Sequence, residues 1–266
     1  PTLDQPWNTV AAGIGGTGVL TITSLIAMAA HIEGKGCATL NQTGLAQKFG
    51  AVVSHVRVAK AQADIKAVRI PAGEADLLIG CDLVVSTGYE AMGKVSHGRT
   101  HAVINDNEQP TAAFVQDPDA YFPAQGMRNK VSAEVGEHLE FVHASEIALA
   151  LTGDAIGTNL FLLGYAWQRG WVPVTQAALE QAIELNAVAV EFNKSAFLLG
   201  RRFAHQPQIV ESLLPKGASD TNTGLTLDAL LNDRFQRLVA YQSLSYAQQY
   251  QNQMEKVRDI DSEPDT

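Results

Sequence analysis

The stretch TVAAGIGGTGVLTITSLIAMAAHI, residues 9–32, decides the fold that this sequence predicts. Residues 9–12 form a short, mostly apolar strand, and the glycine-rich loop GIGGTG follows at residues 13–18. Beyond the loop, apolar residues recur at helical spacing and predict a helix with one buried face; they are Ile22, Leu25, Ile26, Ala29 and Ile32. A strand, a glycine-rich loop and a helix in this order can hold an anion, because loop amides and the helix N-terminus both favour negative charge.

The glycine-rich loop supplies the candidate ligand-binding residues, which are Gly13, Gly15, Gly16, Thr17 and Gly18. A dinucleotide site needs a second feature, usually an acidic residue about 20 positions downstream that binds the ribose. Residues 40–43 read Leu-Asn-Gln-Thr and offer neither a carboxylate nor an arginine. The second feature that a site for NAD or NADP needs is therefore missing from these residues. Two interpretations stay open: the loop binds another anion, or its glycines only let the helix pack tightly against the strand.

Short strands and helices alternate along the first 144 residues. The pattern predicts further strands at residues 37–40, 51–59, 64–70, 82–86, 101–105 and 139–144, a helical turn at 43–49 and a helix at 89–96. Residues 77–105 have the pattern of one strand–helix–strand unit with short connections. We therefore expect an open, mostly parallel, Rossmann-like α/β sheet with helices on both faces.

The second half of the chain has a different pattern. Residues 145–203 are predicted to be helical, with Ser145 and Thr175 as helix caps, and with helices at 155–169, 176–185 and 187–202. Residues 205–225 contain prolines and glycines and indicate a loop, and residues 227–257 indicate one long amphipathic helix. We expect an α/β domain at residues 1–204, and a loop, a long helix and an acidic tail at residues 205–266.

The composition of the chain disfavours several function classes. The 266 residues carry a formal net charge of −9, which argues against nucleic acid as a partner because phosphates demand a basic surface. The longest apolar stretch, residues 22–32, is too short to cross a membrane. Two cysteines, Cys37 and Cys81, cannot by themselves ligate an iron–sulfur cluster or a zinc ion. The scarcity of cysteine suits the cytoplasm, and the seven histidines show no metal-ligand spacing, so we expect no metal site.

The sequence contains no catalytic constellation, since no GxSxG motif and no nucleophile beside a base are found. We therefore predict no catalytic residue. His55 and Arg57 share one face of a predicted strand, and we expect a solvated or ion-paired face, with an anion or a partner carboxylate as the alternative ligand. Asn159 is a polar residue on a mostly apolar helix, where it can cap a helix, bridge two helices or face a cleft.

Five segments resemble a known family. GIGGTGVLTITSLIAMAAHIEGKG (13–36), NQTGLAQKFGAVVSHVRVA (41–59), ADLLIGCDLVVSTGYEAM (75–92) and HAVINDNEQPTAAF (101–114) resemble the gamma, or catalytic-domain, component of the 2-oxoacid:ferredoxin oxidoreductases. DAIGTNLFLLGYAWQRGWVPVTQAALEQAIELNAVAVEFNKSAFLLGR (154–201) resembles the fused, large-chain indolepyruvate ferredoxin oxidoreductases of bacteria. The resemblance covers about residues 8–203, and because the chain opens on Pro1 we expect a piece of a longer chain.

The resemblance implies a fold like domain III of pyruvate-ferredoxin oxidoreductase and a place in a modular enzyme that acts on arylpyruvates such as indolepyruvate. In this family thiamine diphosphate attacks the 2-oxo group, carbon dioxide leaves, electrons pass through iron–sulfur centres to ferredoxin, and the acyl group goes to coenzyme A. Thiamine diphosphate, Mg²⁺ and the 4Fe–4S clusters are expected on other domains, which would be the partners of this chain. The resemblance makes residues 15–18 the place best suited to a phosphate of coenzyme A.

Two other functions stay open at this stage. One is a free-standing, Rossmann-type nucleotide-binding oxidoreductase, which the missing acidic residue at 40–43 disfavours. The other is a non-catalytic interaction module whose loop is purely structural, because the apolar residues of 155–200 fit either a thick core or a large buried interface. A homo-oligomer is compatible with each of these functions.

Overall fold

The computed structural model describes residues 1–43, 50–107, 123–214 and 226–261. The chain divides into two compact units, Pro1–Leu214 and Pro215–Thr266. The first unit contains the sheet and its covering helices, and the second contains two helices. Across the described ranges, no helix is both long enough and apolar enough to span a membrane.

The first unit is built on a six-stranded sheet with the order β2-β3-β1-β4-β5-β6. The strands are β1 (Trp7–Ile14), β2 (Gly36–Thr43), β3 (Ala51–Ala59), β4 (Leu77–Gly80), β5 (His101–Asn105) and β6 (Leu139–Val142). Strands β1, β4, β5 and β6 pair in parallel, whereas β3 runs antiparallel to both β1 and β2. Of these six strands only β3 is reversed, so the predicted open, mostly parallel α/β sheet is confirmed.

Nine helices of the first unit lie within the described residues. They are α1 (Val19–Ile32), α2 (Leu83–Ser86), α3 (Tyr89–Met92), α4 (Ala124–Val135), α5 (Ala144–Thr152), α6 (Thr158–Gln168), α7 (Gln176–Asn186), α8 (Val190–His205) and α9 (Pro207–Leu213). Short 3-10 turns occupy Gln62–Asp64, Gly136–His138 and Ala155–Gly157. The prediction of a largely helical segment at residues 145–203 is confirmed.

Helices cover both faces of the sheet because alternate strand residues enter two separate cores. On one face, residues of β1 and β3 pack with α1, α6, α7 and α8; the strand residues are Ala11, Val52, Val56 and Val58. On the other face, the intervening residues pack with α2 and α4; they are Val10, Ala12, Ile14 and Val53. The sheet is thus a buried central layer, and its carboxyl edge is where loops can meet a ligand.

Helices α6 and α8 approach each other closely at two glycines. A Cβ placed on Gly164 would lie 2.0 Å from the carbonyl oxygen of Phe197, and a Cβ on Gly200 would lie 1.9 Å from that of Phe161. Only glycine permits such an approach of two backbones. Residues 158–166 of α6 are all buried, so this helix is a fixed support for whatever contacts its N-terminal turn.

Two of the predicted strands are wrong. Residues 82–86 form the cap and the body of α2, because the Asp82 carboxylate accepts a 2.8 Å hydrogen bond from the amide of Val85 and starts a helix there. The true strand, β4, lies just before, and residues 77–105 still form the predicted strand–helix–strand unit. Residues 64–70 form no strand; Asp64 ends a 3-10 turn, and the Ile70 amide donates to a side chain of β3.

Several predicted helix boundaries are also corrected. Thr175 caps α7 as expected, but α5 begins at Ala144 and Ser145 is not its cap. Helix α8 begins at Val190 rather than at residue 187, because Ala187 and Ala189 have φ angles of 55° and 41°. Residues 207–213, predicted as loop, form α9, and the predicted turn at 43–49 falls outside the described residues except for Thr43, which ends β2.

The described residues of the second unit form two helices, α10 (Leu227–Tyr241) and α11 (Leu244–Asp261), where one long helix was predicted. The Ser243 hydroxyl explains the break, because it accepts a hydrogen bond of 3.2 Å from the amide of Tyr246 and so caps the second helix. Apolar periodicity continues through both helices, which is why it did not reveal the interruption. The predicted acidic tail is outside the described residues beyond 261.

Candidate functional site

The glycine-rich loop lies at the carboxyl edge of the sheet, directly after Ile14 ends β1. From β1 the chain continues to β2 on one side of the sheet, and from β4 it continues to β5 on the other side. The order of the strands therefore reverses between β1 and β4. In open α/β sheets, ligands bind at such a reversal beyond the carboxyl ends of the strands, so the loop occupies the position where a site is expected.

The loop backbone is held from within and from β3. The amide of Gly15 donates to the carbonyl of Gly50 at 2.7 Å, and the hydroxyl of Thr17 donates to the carbonyl of Ile14 at 2.7 Å. Gly16 and Gly18 have φ angles of 90° and 93°, a left-handed conformation that favours glycine. The turn therefore requires glycine at these two positions before any ligand is considered.

Four amides in the loop and at the start of α1 have no acceptor within the described part of the chain. The amides of Gly16, Gly18, Val19 and Leu20 donate no hydrogen bond to another described residue. No side chain caps this helix, and its first turn carries no acidic residue. An uncapped helix N-terminus that follows a turn with left-handed glycines offers backbone donors and a favourable dipole to an anion.

The two interpretations of the loop, tight packing and anion binding, apply to different glycines. A Cβ on Gly13 would lie 2.7 Å from the Cβ of Cys81 and 2.8 Å from Cγ2 of Val19, so this glycine serves tight packing. A Cβ on Gly16 would have no atom of a described residue within 4 Å, and Gly16 is exposed. Packing therefore explains Gly13 but not Gly16, whose surroundings are open.

Asp82 joins the two strands on either side of the reversal. One carboxylate oxygen accepts the amide of Ile14 at 2.8 Å, and the other accepts the amide of Val85 at 2.8 Å. Burial raises the pKa of this carboxyl, against the opposing effect of the two backbone hydrogen bonds. Sequence reasoning missed this residue because it was assigned to a strand. An aspartate just before an apolar run is the cap signal that could have found it.

Asn159 links α6 to the loop. Its side-chain amide nitrogen donates to the carbonyl of Thr17 at 2.6 Å, and the residue is 3% exposed. Of the three roles considered for this residue, a bridge is the one observed, although it joins a helix to a loop rather than two helices. A Cβ on Gly18 would lie 3.2 Å from the same nitrogen, so the loop and the helix are in close contact.

A second polar cluster lies farther along the carboxyl edge. The side chain of Asn105, at the end of β5, donates to the carbonyl of Cys81 at 3.0 Å and to the hydroxyl of Ser145 at 2.8 Å. The amide of Ser145 donates back to Asn105 at 3.1 Å, and Thr158 contacts the same hydroxyl at 3.1 Å. Because these groups satisfy one another, they fix the edge of the sheet and offer little to a substrate.

The expectation of a solvated face at His55 and Arg57 is wrong. Both residues are buried, and they contact the segment after β3 through the carbonyl of Ala67 and the amide of Ile70. Arg57 donates to the side chain of Asn8 at 2.9 Å and to the carbonyl of Ala67 at 2.8 Å. Its donors are thus used inside the protein, and neither an anion nor a partner carboxylate is needed to satisfy this pair.

His55 accepts a hydrogen bond of 3.1 Å from the amide of Ile70 through Nδ1, so the neutral ring carries its proton on Nε2. Nε2 is buried and has no hydrogen-bond partner among the residues that the structure describes. Burial, with a smaller contribution from the charges of Lys94 and Arg69, lowers the pKa of His55 to about 4. The histidine is therefore a neutral core residue at physiological pH.

The cysteines and the carboxylates do not form a reactive centre in the described part of the chain. Burial raises the pKa of the Cys81 thiol, which keeps it protonated and a poor nucleophile. Cys37 is half-buried in β2, and desolvation raises its pKa as well. Within residues 1–43, 50–107, 123–214 and 226–261, no group of three or more histidine, cysteine or acidic residues could hold a metal ion.

The strand order also bears on whether this edge of the sheet could bind a dinucleotide. In a Rossmann site the acidic residue follows a strand that lies beside the first strand. Here β3 separates β2 from β1, so residues 40–43 lie two strands away from the loop. Geometry and side-chain chemistry therefore both disfavour a dinucleotide at this edge.

Comparison with known proteins is consistent with this architecture. The family model for pyruvate ferredoxin/flavodoxin oxidoreductase matches residues 8–203. The chain belongs to this family. The predicted resemblance to the gamma components of 2-oxoacid:ferredoxin oxidoreductases is thereby confirmed.

Relatives of this pyruvate ferredoxin/flavodoxin oxidoreductase family domain include the indolepyruvate oxidoreductase subunit IorB of Thermococcus kodakarensis. It is 25% identical over 206 residues, which are 76% of this chain and 98% of that subunit. The IorB subunit of Archaeoglobus fulgidus is 30% identical over 199 residues, 73% of this chain and 92% of the subunit. The likeness thus extends over almost the whole length of these subunits.

Solved structures share the family fold. The gamma subunit of a keto/oxoacid ferredoxin oxidoreductase from Geobacter sulfurreducens has a TM-score of 0.52 and 20% identity, covering 75% of this chain and 98% of that one. The 2-oxoglutarate:ferredoxin oxidoreductase of Magnetococcus marinus, solved with 2-oxoglutarate, coenzyme A and succinyl-CoA, has a TM-score of 0.56 and 15% identity. This chain covers 31% of the latter protein, so the shared fold makes up one part of that larger protein.

Proposed function

We propose that residues 1–204 are the gamma-type domain of a thiamine diphosphate-dependent 2-oxoacid:ferredoxin oxidoreductase acting on arylpyruvates, foremost indolepyruvate. The observation that carries the proposal is the likeness to IorB subunits over 92–98% of their length. Residues 205–266 form an appended helical segment in this proposal. The reaction is the oxidative decarboxylation of the 2-oxoacid to an acyl-CoA.

The proposal assigns the redox cofactors to other domains of the enzyme. A 4Fe–4S cluster takes four cysteine ligands, whereas this chain has two cysteines, which lie apart on β2 and after β4. When bound to its own domain with Mg²⁺, thiamine diphosphate supplies the carbanion that attacks the 2-oxo group. The residues of this chain then act by packing against that domain and by receiving the acyl acceptor.

The ligand that we propose for the glycine-rich loop is a phosphate of coenzyme A. The loop residues are Gly13, Gly15, Gly16, Thr17 and Gly18. Three observations support this ligand: the amides of Gly16 and Gly18 donate to no other residue that the structure describes, the start of α1 is uncapped, and the loop lies at the strand reversal. The residues present fit a phosphate, because backbone donors need no side-chain charge to hold one. The chain itself contributes binding and orientation, and no catalytic residue is assigned to it.

The partners that follow are the thiamine diphosphate-binding domains of the same enzyme and, for the whole enzyme, ferredoxin. The proposal places the enzyme in the cytoplasm, excludes nucleic acid and membrane as partners, and is compatible with a homo-oligomer. The sparse cysteines and the net charge of −9 support this assignment.

An assay of the complete enzyme tests the function. Reduction of ferredoxin or a viologen dye is measured with indolepyruvate, phenylpyruvate, pyruvate and 2-oxoglutarate, each with and without coenzyme A. The proposal expects coenzyme A-dependent reduction that is fastest with the two arylpyruvates. Reduction with 2-oxoglutarate or pyruvate alone would overturn the substrate class, and the absence of reduction with every 2-oxoacid would overturn the function.

The interaction-module function keeps one specific observation in its favour, which is the tight packing at Gly13. Under that alternative the loop binds nothing, and the complete enzyme shows the same KM for coenzyme A whatever residue replaces Gly16. The substitution of Gly16 described in the Discussion separates the two functions.

A further inference from the structure

We propose that Asn159 is a positioning residue that fixes the direction of the Gly18 amide toward the bound anion. This inference rests on the proposed function, because the anion is taken to be a phosphate of coenzyme A. The observation that supports this inference is the contact between the Asn159 side chain and the carbonyl of Thr17.

The argument begins with the peptide that joins Thr17 to Gly18. A trans peptide is planar, and its carbonyl and amide groups point in opposite directions. The Asn159 side chain donates to the Thr17 carbonyl at 2.6 Å, which turns that carbonyl toward α6. The amide of Gly18 must then point away from α6, and it donates to no other described residue.

The same peptide would be easy to invert without this contact. Gly18 has a φ of 93°, and glycine populates positive and negative φ with similar ease. Inversion would direct the Thr17 carbonyl outward, so that an oxygen replaced a donor in front of the anion. No other donor among the described residues bonds to the Thr17 carbonyl. A single side chain therefore selects the anion-receiving orientation.

Asn159 is well suited to this task because its own position is fixed. It is 3% exposed in the first turn of α6, where residues 158–166 are buried and the glycine contacts with α8 prevent displacement. The large majority of buried polar side chains are hydrogen-bonded, and the side-chain bond that Asn159 makes with a described residue is the bond to the loop.

The test uses the complete enzyme carrying Asn159→Leu, which keeps the size of the side chain and removes the donor. The KM for coenzyme A is expected to rise about five- to tenfold, as the loss of one hydrogen bond implies. The KM for the 2-oxoacid and kcat at saturating coenzyme A are expected to stay within about twofold, because neither depends on the Gly18 amide. Asn159→Ser, which is too short to reach the loop, is the second variant if the leucine variant does not fold.

Asn193→Asp is the matched control. Asn193 also donates from its side chain to a backbone carbonyl, that of Val188 at 2.8 Å, but it lies in the first turn of α8 and does not contact the loop. The KM for coenzyme A in this control is expected to equal that of the unaltered enzyme. An equal rise in both variants would show a general effect on the fold and would overturn the inference.

Gly16→Asp distinguishes failure of the inference from failure of the proposed function. If Gly16→Asp raises the KM for coenzyme A and the Asn159 variants do not, Asn159 is not a positioning residue although the loop binds coenzyme A. If none of these variants changes that KM, the loop does not bind coenzyme A and both proposals are overturned. A fall in kcat with unchanged KM would also contradict the positioning role.

Discussion

Asp82 accepts the amide of Ile14 at 2.8 Å and so connects the end of β1 to the start of α2, at the point where the strand order reverses. The second carboxylate oxygen caps α2. Both acceptors are buried and used for the backbone. The carboxylate thus fixes the start of the loop at Ile14 through the backbone, and it leaves the rest of the loop open to a ligand.

Replacement of Asp82 tests this support. Asp82→Ala leaves a buried amide without an acceptor and removes a helix cap, so the free energy of unfolding is expected to fall by about 2–4 kcal/mol. Chemical denaturation measures the change. Asp154→Ala is the control, because Asp154 caps the Ile156 amide at an exposed position, where a loss of about 1 kcal/mol or less is expected. Equal losses in the two variants would show that Asp82 is an ordinary cap.

The contact between α6 and α8 gives a second prediction. Gly200→Ala places a methyl group 1.9 Å from the Phe161 carbonyl oxygen, and the helices must separate to accept it. The free energy of unfolding is expected to fall by about 3 kcal/mol or more. Gly126→Ala, in the exposed face of α4 with no atom within 4 Å of the new Cβ, is expected to raise it by about 0.5–1 kcal/mol. If thermal denaturation finds Gly200→Ala as stable as the unaltered protein, the close crossing is incorrect.

His55 predicts a specific dependence of stability on pH. Its pKa is about 4 in the folded protein, against 6.5 for an ordinary histidine. The unfolded chain therefore binds the proton first, so stability decreases as the pH falls from about 6.5 to about 4 and is constant with respect to this group below that range. The decrease from this residue is about 3 kcal/mol.

His55→Gln isolates that contribution. Urea denaturation at a series of pH values is expected to show a smaller loss of stability between pH 6.5 and pH 4 in the variant than in the unaltered protein. A pH profile of His55→Gln that parallels the unaltered protein would mean that the imidazole is not buried in its neutral form.

Substitution of Gly16 is the most direct test of coenzyme A binding by the loop. Gly16→Asp introduces a negative charge beside the free amides and is expected to raise the KM for coenzyme A in the complete enzyme by at least about tenfold, with a smaller effect on kcat. Gly34→Asp is the matched control, because Gly34 also has a positive φ and no atom within 4 Å of an added Cβ. An unchanged KM in Gly16→Asp would leave packing as the only role of the loop.

The sequence predicted the fold where local and long-range preferences agree. The strand, loop and helix at residues 9–32 have strong periodicity and left-handed glycines at the turn, and they occur as expected. The strand prediction for residues 82–86 was wrong because the two valines favour a strand, whereas a buried cap at Asp82 favours a helix. The tertiary hydrogen bond to Ile14 decides that conflict, and no local pattern reveals it.

The candidate site was predictable in part for a similar reason. The loop residues were proposed from their spacing alone, and their role in binding stays a prediction. The partners that position them come from distant parts of the sequence. Asp82 lies 68 positions from Ile14, and Asn159 lies 142 positions from Thr17. Burial of His55 and Arg57 likewise depends on the segment that covers β3, so a pattern that indicated an exposed strand face was misleading.

The most direct measurement of the central claim is add-back of this chain to the remaining domains or subunits of its enzyme. Reduction of a viologen dye by indolepyruvate is followed as coenzyme A is varied. The account predicts that coenzyme A-dependent reduction requires this chain and that the chain alone reduces nothing. Full coenzyme A-dependent reduction without the chain would contradict the account.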